Sequence, residues 1–461
     1  MINNRLSIHD YSPSYDLYKK DESRLAGSFD SISFPESIEE IIAIYNTLSA
    51  HGTPVTVQGN RTGICGGSVP LRGHVMSLEK LNQIHIVECL NDYCLINVLG
   101  GTTLEALDLF LLKKGFFWPP DPTEKQSTIG GIIATGAKGM THSFYGESKK
   151  YVQSVTYLHP SGIVKIVTKD DEDFHDLFSS EGMLGIILSA ELIAIQIPKE
   201  SLGIGFFFNS WQEACDFGED VVLSFNLKEV GIVALEFLDR QTLTIIQNMK
   251  ATASHLKEIP SFPDDVHALM YIEIHGSDED ALMDIAEELL LLSEKWGSDI
   301  DSSWALSGHK EISVMHTLRH SAPESVNHYL STLNNNHAIT KLATDFSLRS
   351  SQIKEWLNYC YDKSKDFNIP ICVFGHFLDA HLHINLLPDN LQKYKDSITL
   401  LDQWYAYAAK LGANLFAEHG IGKLKRSFYQ QYSDHEDLKS FISKKHIYDK
   451  HGLFNPGNRF D

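Results

Sequence analysis

Between Val57 and Pro70 the chain reads VQGNRTGICGGSVP, with Gly59, Gly63, Gly66 and Gly67 placed directly after a short apolar run of Pro54, Val55 and Val57. Glycine at this density admits main-chain conformations closed to other residues and lets the backbone approach a ligand closely. Consecutive N–H groups in such a loop form a concave nest for an anion. Arg61, Thr62 and Ser68 add further donors. The residues fit a pyrophosphate cradle. A plain glycine-rich surface turn fits them equally well, so the stretch gains meaning from its companions.

Two later stretches are those companions. Pro119 to Tyr151 reads PPDPTEKQSTIGGIIATGAKGMTHSFYGESKKY, and Glu181 to Leu192 reads EGMLGIILSAEL. With the three blocks in this order and spacing, the chain resembles the FAD-linked oxidases of the vanillyl-alcohol oxidase and p-cresol methylhydroxylase type. Within them it is most similar to the D-2-hydroxyacid dehydrogenase branch, which includes D-lactate dehydrogenases and glycolate oxidase subunits. The matching pattern runs from Ser23 to Pro456.

The resemblance implies an α+β fold. A two-subdomain FAD-binding domain would occupy residues 1–198, an α/β cap domain 199–416, and a C-terminal segment, 417–461, would return to the FAD domain. In the first block the implied FAD contacts are Gly59, Asn60, Arg61, Thr62, Gly63, Gly66 and Gly67. In the second they are Pro122, Thr128, Gly130, Gly131, Ala134, Thr135, Gly136, Gly139, Tyr145 and Gly146. Glu181, Gly182, Gly185 and Ile186 follow in the third, and Asn455 in the tail. No histidine stands at the loop position used elsewhere in the superfamily for covalent attachment, so FAD is expected to be held non-covalently. A nicotinamide site is not indicated, because Gly203 and Gly205 give GIGF without a third glycine.

Composition narrows the rest. A length of 461 residues suits two to four domains. The formal net charge of −21 argues against nucleic acid and against unaided docking on an anionic membrane. The N-terminus has no signal-peptide apolar core, and no window approaches a membrane-spanning run. Cys65, Cys89, Cys94, Cys215, Cys360 and Cys372 are scattered without a CxxC pair. Reduced thiols in a cytoplasmic protein are therefore expected.

Local patterns place the elements. Residues 1–35 read as a loose lead-in. Ser37 is placed to cap a helix over 38–50, and Thr103 one over 104–114. Strands are expected at 55–58, 75–78, 95–98, 184–197, 232–238 and 269–275, with a hairpin over 152–168. The acidic run 170–173 reads as a solvated loop. Ser277 is the expected cap of a helix over 278–296.

The densest chemistry lies in Gly375 to Asn385, GHFLDAHLHIN, followed later by AEHGIGK. In an extended strand His381, His383 and Asn385 share one face, and His376 needs a bend to join them. Imidazoles with a carboxylate suit zinc or a similar divalent ion, although a hydrogen-bonded hairpin accounts for the residues as well. The family pattern GHxGDGNxHxN, with EHGIG later, implies that His376, His383 and Glu418 are ligands to zinc or manganese. It implies that Asn385 contacts substrate and that His419 is the catalytic base. Leu378, Ala380 and His381 depart from that pattern. Arg319, in LRHSAPESVN, resembles the arginine that grips the substrate carboxylate through two parallel bonds. Lys341 resembles a second carboxylate-binding residue. His320 and Asp345 read as bystanders.

The implied activity is FAD-dependent oxidation of a small D-2-hydroxy acid, of the D-lactate, glycolate or D-2-hydroxyglutarate type, to the 2-oxo acid. The electron acceptor would be a quinone, a cytochrome or an electron-transfer protein, and a homodimer is compatible with the sequence. The alternatives are a metal-independent FAD alcohol or aldonolactone oxidase, and a flavin-binding subunit of a larger oxidase complex.

Overall fold

The computed structural model describes residues 7–332 and 339–460. These residues gather into two compact units. The first takes in residues up to Gly139, then Glu147–Ile197 and the C-terminal stretch from Glu418. The second comprises Met140–Gly146 and Pro198–Ala417.

The first unit holds two sheets. The smaller contains β1 (Ile8–Asp10), β2 (Ser31–Ser33), β3 (Val55–Gln58) and β4 (His74–Ser77) in the order β1-β2-β4-β3. β2 and β3 both run parallel to β4. The helix Ile38–Ala50 crosses over from β2 to β3, which lie on either side of β4. Ser37 caps it by accepting from the Glu40 N–H at 3.2 Å. Its buried face of Ile41, Ile44, Tyr45 and Leu48 packs on Val55 and Met76. The expected loose lead-in is corrected here, since β1 and β2 are built from it. Tyr11, Tyr15, Tyr18 and Phe34 pack around Phe29 and Ile32, so aromatic burial orders a stretch without strong periodicity.

The larger sheet is antiparallel, with β5 (Ile84–Cys89), β6 (Tyr93–Leu99), β8 (Val152–Leu158), β9 (Val164–Thr168) and β10 (Ile186–Gln196) in the order β5-β6-β10-β8-β9. The short β7 (Phe116–Phe117) pairs with β10. The β5–β6 register sets Cys89 opposite Cys94, and the two form a disulfide, which corrects the expectation of reduced thiols throughout. Asp173 is also not a solvated loop residue. It lies in the helix Glu172–Leu177 and accepts from Tyr157 at 2.7 Å, from Lys165 at 2.9 Å and from Tyr448.

The second unit is built on one antiparallel sheet of β11 (Glu200–Phe208), β12 (Ile232–Asp239), β13 (Ala268–Gly276), β14 (Trp304–Ser307), β15 (Ile371–His376) and β16 (His381–Leu386), ordered β14-β11-β13-β12-β15-β16. Helices cover both faces. Trp211–Ser224 and Glu279–Lys295 pack on the side of Phe206, Phe208 and Met270. Arg240–Lys250 and His309–Thr332 pack on the side of Phe207, Leu238, Leu269 and Phe374. Gly203 and Gly205 are strand residues of β11, where a Cβ on Gly203 would lie 2.6 Å from the Met315 sulfur. The cap of Glu279–Lys295 is Asp278, not Ser277. Its carboxylate accepts from the Ala281 N–H at 3.0 Å, and a carboxylate also favours the positive end of the helix dipole. Among the described residues no helix is long and apolar enough to cross a membrane.

Candidate functional site

The three glycine blocks meet within the first unit. The Gly59–Gly67 loop leaves β3 and leans on the stretch before the helix Ile129–Thr135. Asn60 Nδ2 donates to the Gln126 carbonyl at 3.0 Å, and the Thr62 and Ser127 hydroxyls lie 3.0 Å apart. Thr128 caps that helix, accepting from the Gly131 N–H at 3.2 Å, and Thr135 Oγ1 donates to the Gly131 carbonyl at 2.9 Å. Gly136 ends the helix in a left-handed conformation. Three of the glycines are closely packed on the side where a Cβ would stand. A Cβ on Gly59 would stand 2.3 Å from Thr128 Oγ1, on Gly130 2.8 Å from the Gly100 carbonyl, and on Gly139 2.0 Å from the Asp121 carbonyl. Pro122 is buried beside this last contact.

The third block is joined through Glu181. Its N–H donates to the Ala134 carbonyl at 2.7 Å, and its carbonyl accepts from Asn455 Nδ2 at 2.7 Å. Asn455 Oδ1 in turn accepts from the Val57 N–H at 2.8 Å, which ties the tail to β3. The Glu181 carboxylate accepts from the N–H groups of Ile421 at 2.8 Å and Gly422 at 2.7 Å, and from Arg459 Nε at 3.1 Å. Gly182 lies against Asn455, Gly185 lies against the Leu158 carbonyl, and Ile186 opens β10.

The loop has the features of an anion cradle. Arg61 holds φ at +60°, a conformation a non-glycine residue adopts at a cost. The main-chain N–H groups from Asn60 to Ile64 find no acceptor among the described residues. A Cβ on Gly63 would meet only Asp21, at an ordinary contact distance of 3.7 Å, whereas on Gly131 it would crowd Thr128 Oγ1 at 3.1 Å. Nearby, burial pushes the Asp21 carboxyl up to about 6 and the Lys423 amine down to about 8. These residues fit a dinucleotide cofactor bound through its pyrophosphate.

Tyr145 and Gly146 group with the second unit. The Tyr145 hydroxyl lies 2.7 Å from His275 Nδ1, and its ring packs by Val233 and Ala234.

In the second unit one face of the sheet changes character along its strands. Phe207, Leu269, Leu238 and Phe374 form an apolar row under the helices. The adjoining row is Gly205, Tyr271, Glu236, His376 and His381, across five strands. Strand alternation carries both rows to the same face. The β15–β16 hairpin supplies the bend that His376 needs, setting it opposite His381. The ring centroids of His376 and His383 are 5.7 Å apart, and those of His381 and His383 are 4.6 Å apart. Ala380, in the turn, takes φ of +47° where the family pattern has glycine.

Two buried carboxylates organise this face. Glu236 accepts from Arg319 Nε and lies 2.7 Å from His376 Nδ1. Burial pushes its carboxyl up, but the charges of His376 and Arg319 outweigh that and hold it below the ordinary range. Glu273 takes Tyr271 at 2.6 Å, His275 at 2.8 Å and His316 at 2.6 Å. Burial opposes its ionisation too, and the imidazoles of His316 and His275 overcome it, leaving the carboxyl well below its usual value.

Arg319 is almost fully buried, with Phe374 5.3 Å from its guanidinium carbon. Its Nη1 and Nη2 groups bond to nothing among the described residues. Asn385 is 1 % exposed, and neither polar atom of its amide has a hydrogen-bond partner among the described residues. Such orphaned groups are rare unless a ligand or water completes them. Lys341 is buried, with its charge acting on Cys372. Asp345 is fully buried, 3.2 Å from His381 Nε2. Glu418 and His419 open the last segment of the first unit, with His419 Nε2 3.3 Å from the Glu418 carboxylate.

Sequence reasoning missed Glu236, Tyr271, Glu273, His275 and His316. A signal was present, since IVALEFLD and ALMYIEIHG carry acids inside otherwise apolar strands, where an unpaired charge is costly.

The first unit thus carries a glycine-rich anion cradle, and the second a polar sheet face braced by buried carboxylates. The family model described as FAD linked oxidases, C-terminal domain, matches residues 197–458, and the FAD binding domain model matches 29–168. The chain belongs to the FAD-linked oxidases and is an FAD-linked oxidoreductase. It is 27 % identical to a D-lactate dehydrogenase of Anaerostipes hadrus over 91 % of this chain and 87 % of that one. It is equally 27 % identical to glycolate oxidase subunit GlcD of Bacillus subtilis, over 94 % and 89 %. Its fold is similar to that of an alkyldihydroxyacetonephosphate synthase, with a TM-score of 0.69 at 16 % identity, covering 94 % of this chain and 76 % of that one.

Proposed function

We propose that the protein oxidises a small D-2-hydroxy acid, of the D-lactate, glycolate or D-2-hydroxyglutarate type, to the 2-oxo acid, with non-covalent FAD and a divalent ion, zinc or manganese. The observation that carries this reading is Arg319, a buried cation held at Nε by Glu236 with its Nη edge unbonded. A planar edge with two parallel donors suits a carboxylate. Lys341 adds charge to the same end of the substrate. The Asn385 amide hydrogen-bonds to it and thereby satisfies its own orphaned atoms. His419 takes the hydroxyl proton as general base. His376 and His383 are metal ligands, with Glu418 the carboxylate that the family pattern pairs with them. When bound, FAD is the acceptor of the α-hydrogen as hydride, and the ion lowers the pKa of the substrate hydroxyl. A quinone, cytochrome or electron-transfer protein then reoxidises the enzyme.

The test is turnover of D-lactate, glycolate and D-2-hydroxyglutarate by the purified protein with a dye acceptor, with and without chelator. Yellow protein, turnover of at least one acid, and loss of turnover on chelation with FAD retained are expected. A colourless protein that cannot take up FAD ends the flavin reading. A turning-over enzyme that carries no metal and ignores chelator ends the metal assignment.

A further inference from the structure

Glu236 lies in the middle of the polar row of the second unit's sheet and is fully buried. We propose that it is a positioning residue that sets two functional groups at once: the guanidinium edge offered to the substrate carboxylate and the imidazole nitrogen offered to the metal ion. The proposal rests on the roles given above to Arg319 and His376.

Arginine stays protonated in proteins, so the carboxylate beside it is ionised and accepts on both oxygens. One oxygen takes Arg319 Nε, and the other takes His376 Nδ1 at 2.7 Å. His376 must therefore carry a proton on Nδ1, and in its neutral form the lone pair that can ligate an ion is the one on Nε2. A carboxylate behind a histidine ligand fixes tautomer and ring orientation in this way. On the other side, engaging Nε turns the Nη1 and Nη2 edge outward, the pair of parallel donors that a carboxylate accepts.

The strand pairing keeps Glu236 from shifting to favour one partner. It sits between Tyr271 on β13 and His376 on β15, and Phe374 flanks the guanidinium at 5.3 Å. The second carboxylate of this face, Glu273, is committed to Tyr271, His275 and His316.

The experiment uses the full-length, FAD-loaded enzyme carrying Glu236→Gln. An amide has one acceptor oxygen, and its NH2 opposes one of the two donors. Zinc affinity, read by competition with a chromogenic chelator in the absence of substrate, should fall about ten- to hundred-fold, the usual effect of losing a partner behind a metal ligand. KM for the best of the three hydroxy acids should rise about tenfold, while FAD content and absorption spectrum stay as in the wild type. Wild-type zinc affinity and KM in this variant overturn the proposal. Arg319→Met and His376→Ala are run alongside. If they raise KM and lower zinc affinity while Glu236→Gln does neither, only the positioning role fails. If they too are without effect, the assignments of Arg319 and His376 fail and this proposal fails with them. Should the glutamine variant not fold, Glu236→Asp is read in the same way. It keeps the charge but is one methylene shorter and cannot hold both partners. Loss of either property supports the proposal, and loss of neither overturns it.

Discussion

Replacing Glu181 by glutamine should release the C-terminal segment from the flavin-binding unit. The glutamate carboxylate accepts three bonds, from the Ile421 and Gly422 N–H groups and from Arg459 Nε, at 2.8, 2.7 and 3.1 Å. Glutamine keeps one acceptor oxygen. Its NH2 would face a main-chain N–H, donor against donor, and Arg459 would lose its ionic partner while 8 % exposed. A hydrogen bond to a charged group contributes about 1.5–3 kcal/mol; one oxygen takes Ile421 and Arg459 and the other Gly422, so losing the Gly422 bond and the ionic partner of Arg459 costs roughly 3–6 kcal/mol. Arg459 retains its Nη2 bond to the Ser179 carbonyl, which moves the estimate to the lower half, roughly 3–4 kcal/mol. The assay is a urea titration followed by release of flavin fluorescence. With a slope of about 2–3 kcal/mol/M, the midpoint should fall by roughly 1–2 M. A shift below about 0.3 M would show that the segment is held by its other contacts, such as the buried Lys445 Nζ donating to the Met183 carbonyl at 2.7 Å, and that the carboxylate adds little.

Arg319→Lys should raise KM for the hydroxy acid about ten- to hundred-fold with an unchanged flavin spectrum, since lysine keeps the charge but lacks the two-pronged edge; unchanged kinetics would place the carboxylate elsewhere, with Lys341 the next residue to replace. Asp173 gives a pH prediction. Burial pushes its carboxyl up, but hydrogen bonds from Tyr448, Tyr157 and Lys165 outweigh this and hold it at about 2, below the ordinary 3.8. A depressed carboxyl stabilises the fold above its unfolded pKa and loses that contribution as pH falls through its folded value. Asp173→Asn should therefore cost about 1–2 kcal/mol at pH 7, after discounting for partial solvent exposure, and the gap to wild type should close as pH falls from 4 to 2 in chemical denaturation curves. Cys89→Ser with Cys94→Ser opens a loop of sequence separation 5, so the chain-entropy cost is about 2 kcal/mol, and dithiothreitol should lower the wild-type midpoint by the same amount and leave the double variant unmoved.

The sequence by itself determined the family, the order of the blocks and most strands, because glycine loops, caps and apolar periodicity act over a few residues. Ser37 capping Ile38–Ala50 and the strand face shared by His381, His383 and Asn385 were readable from spacing alone. The tertiary structure decided everything that depends on residues far apart in the chain. Asp173 looks solvated until Tyr157 and Tyr448 are brought to it, and Cys89 and Cys94 pair only once the β5–β6 register sets them opposite. Glu236 is the sharpest instance. In the chain it is one acid among many, 83 residues before Arg319 and 140 before His376. Burying a carboxylate is unfavourable without compensating partners, and those partners exist only when β12, β15 and the helix His309–Thr332 are assembled. Local pattern reports what a residue can do, whereas which donors a buried acceptor meets is settled by strand order and register.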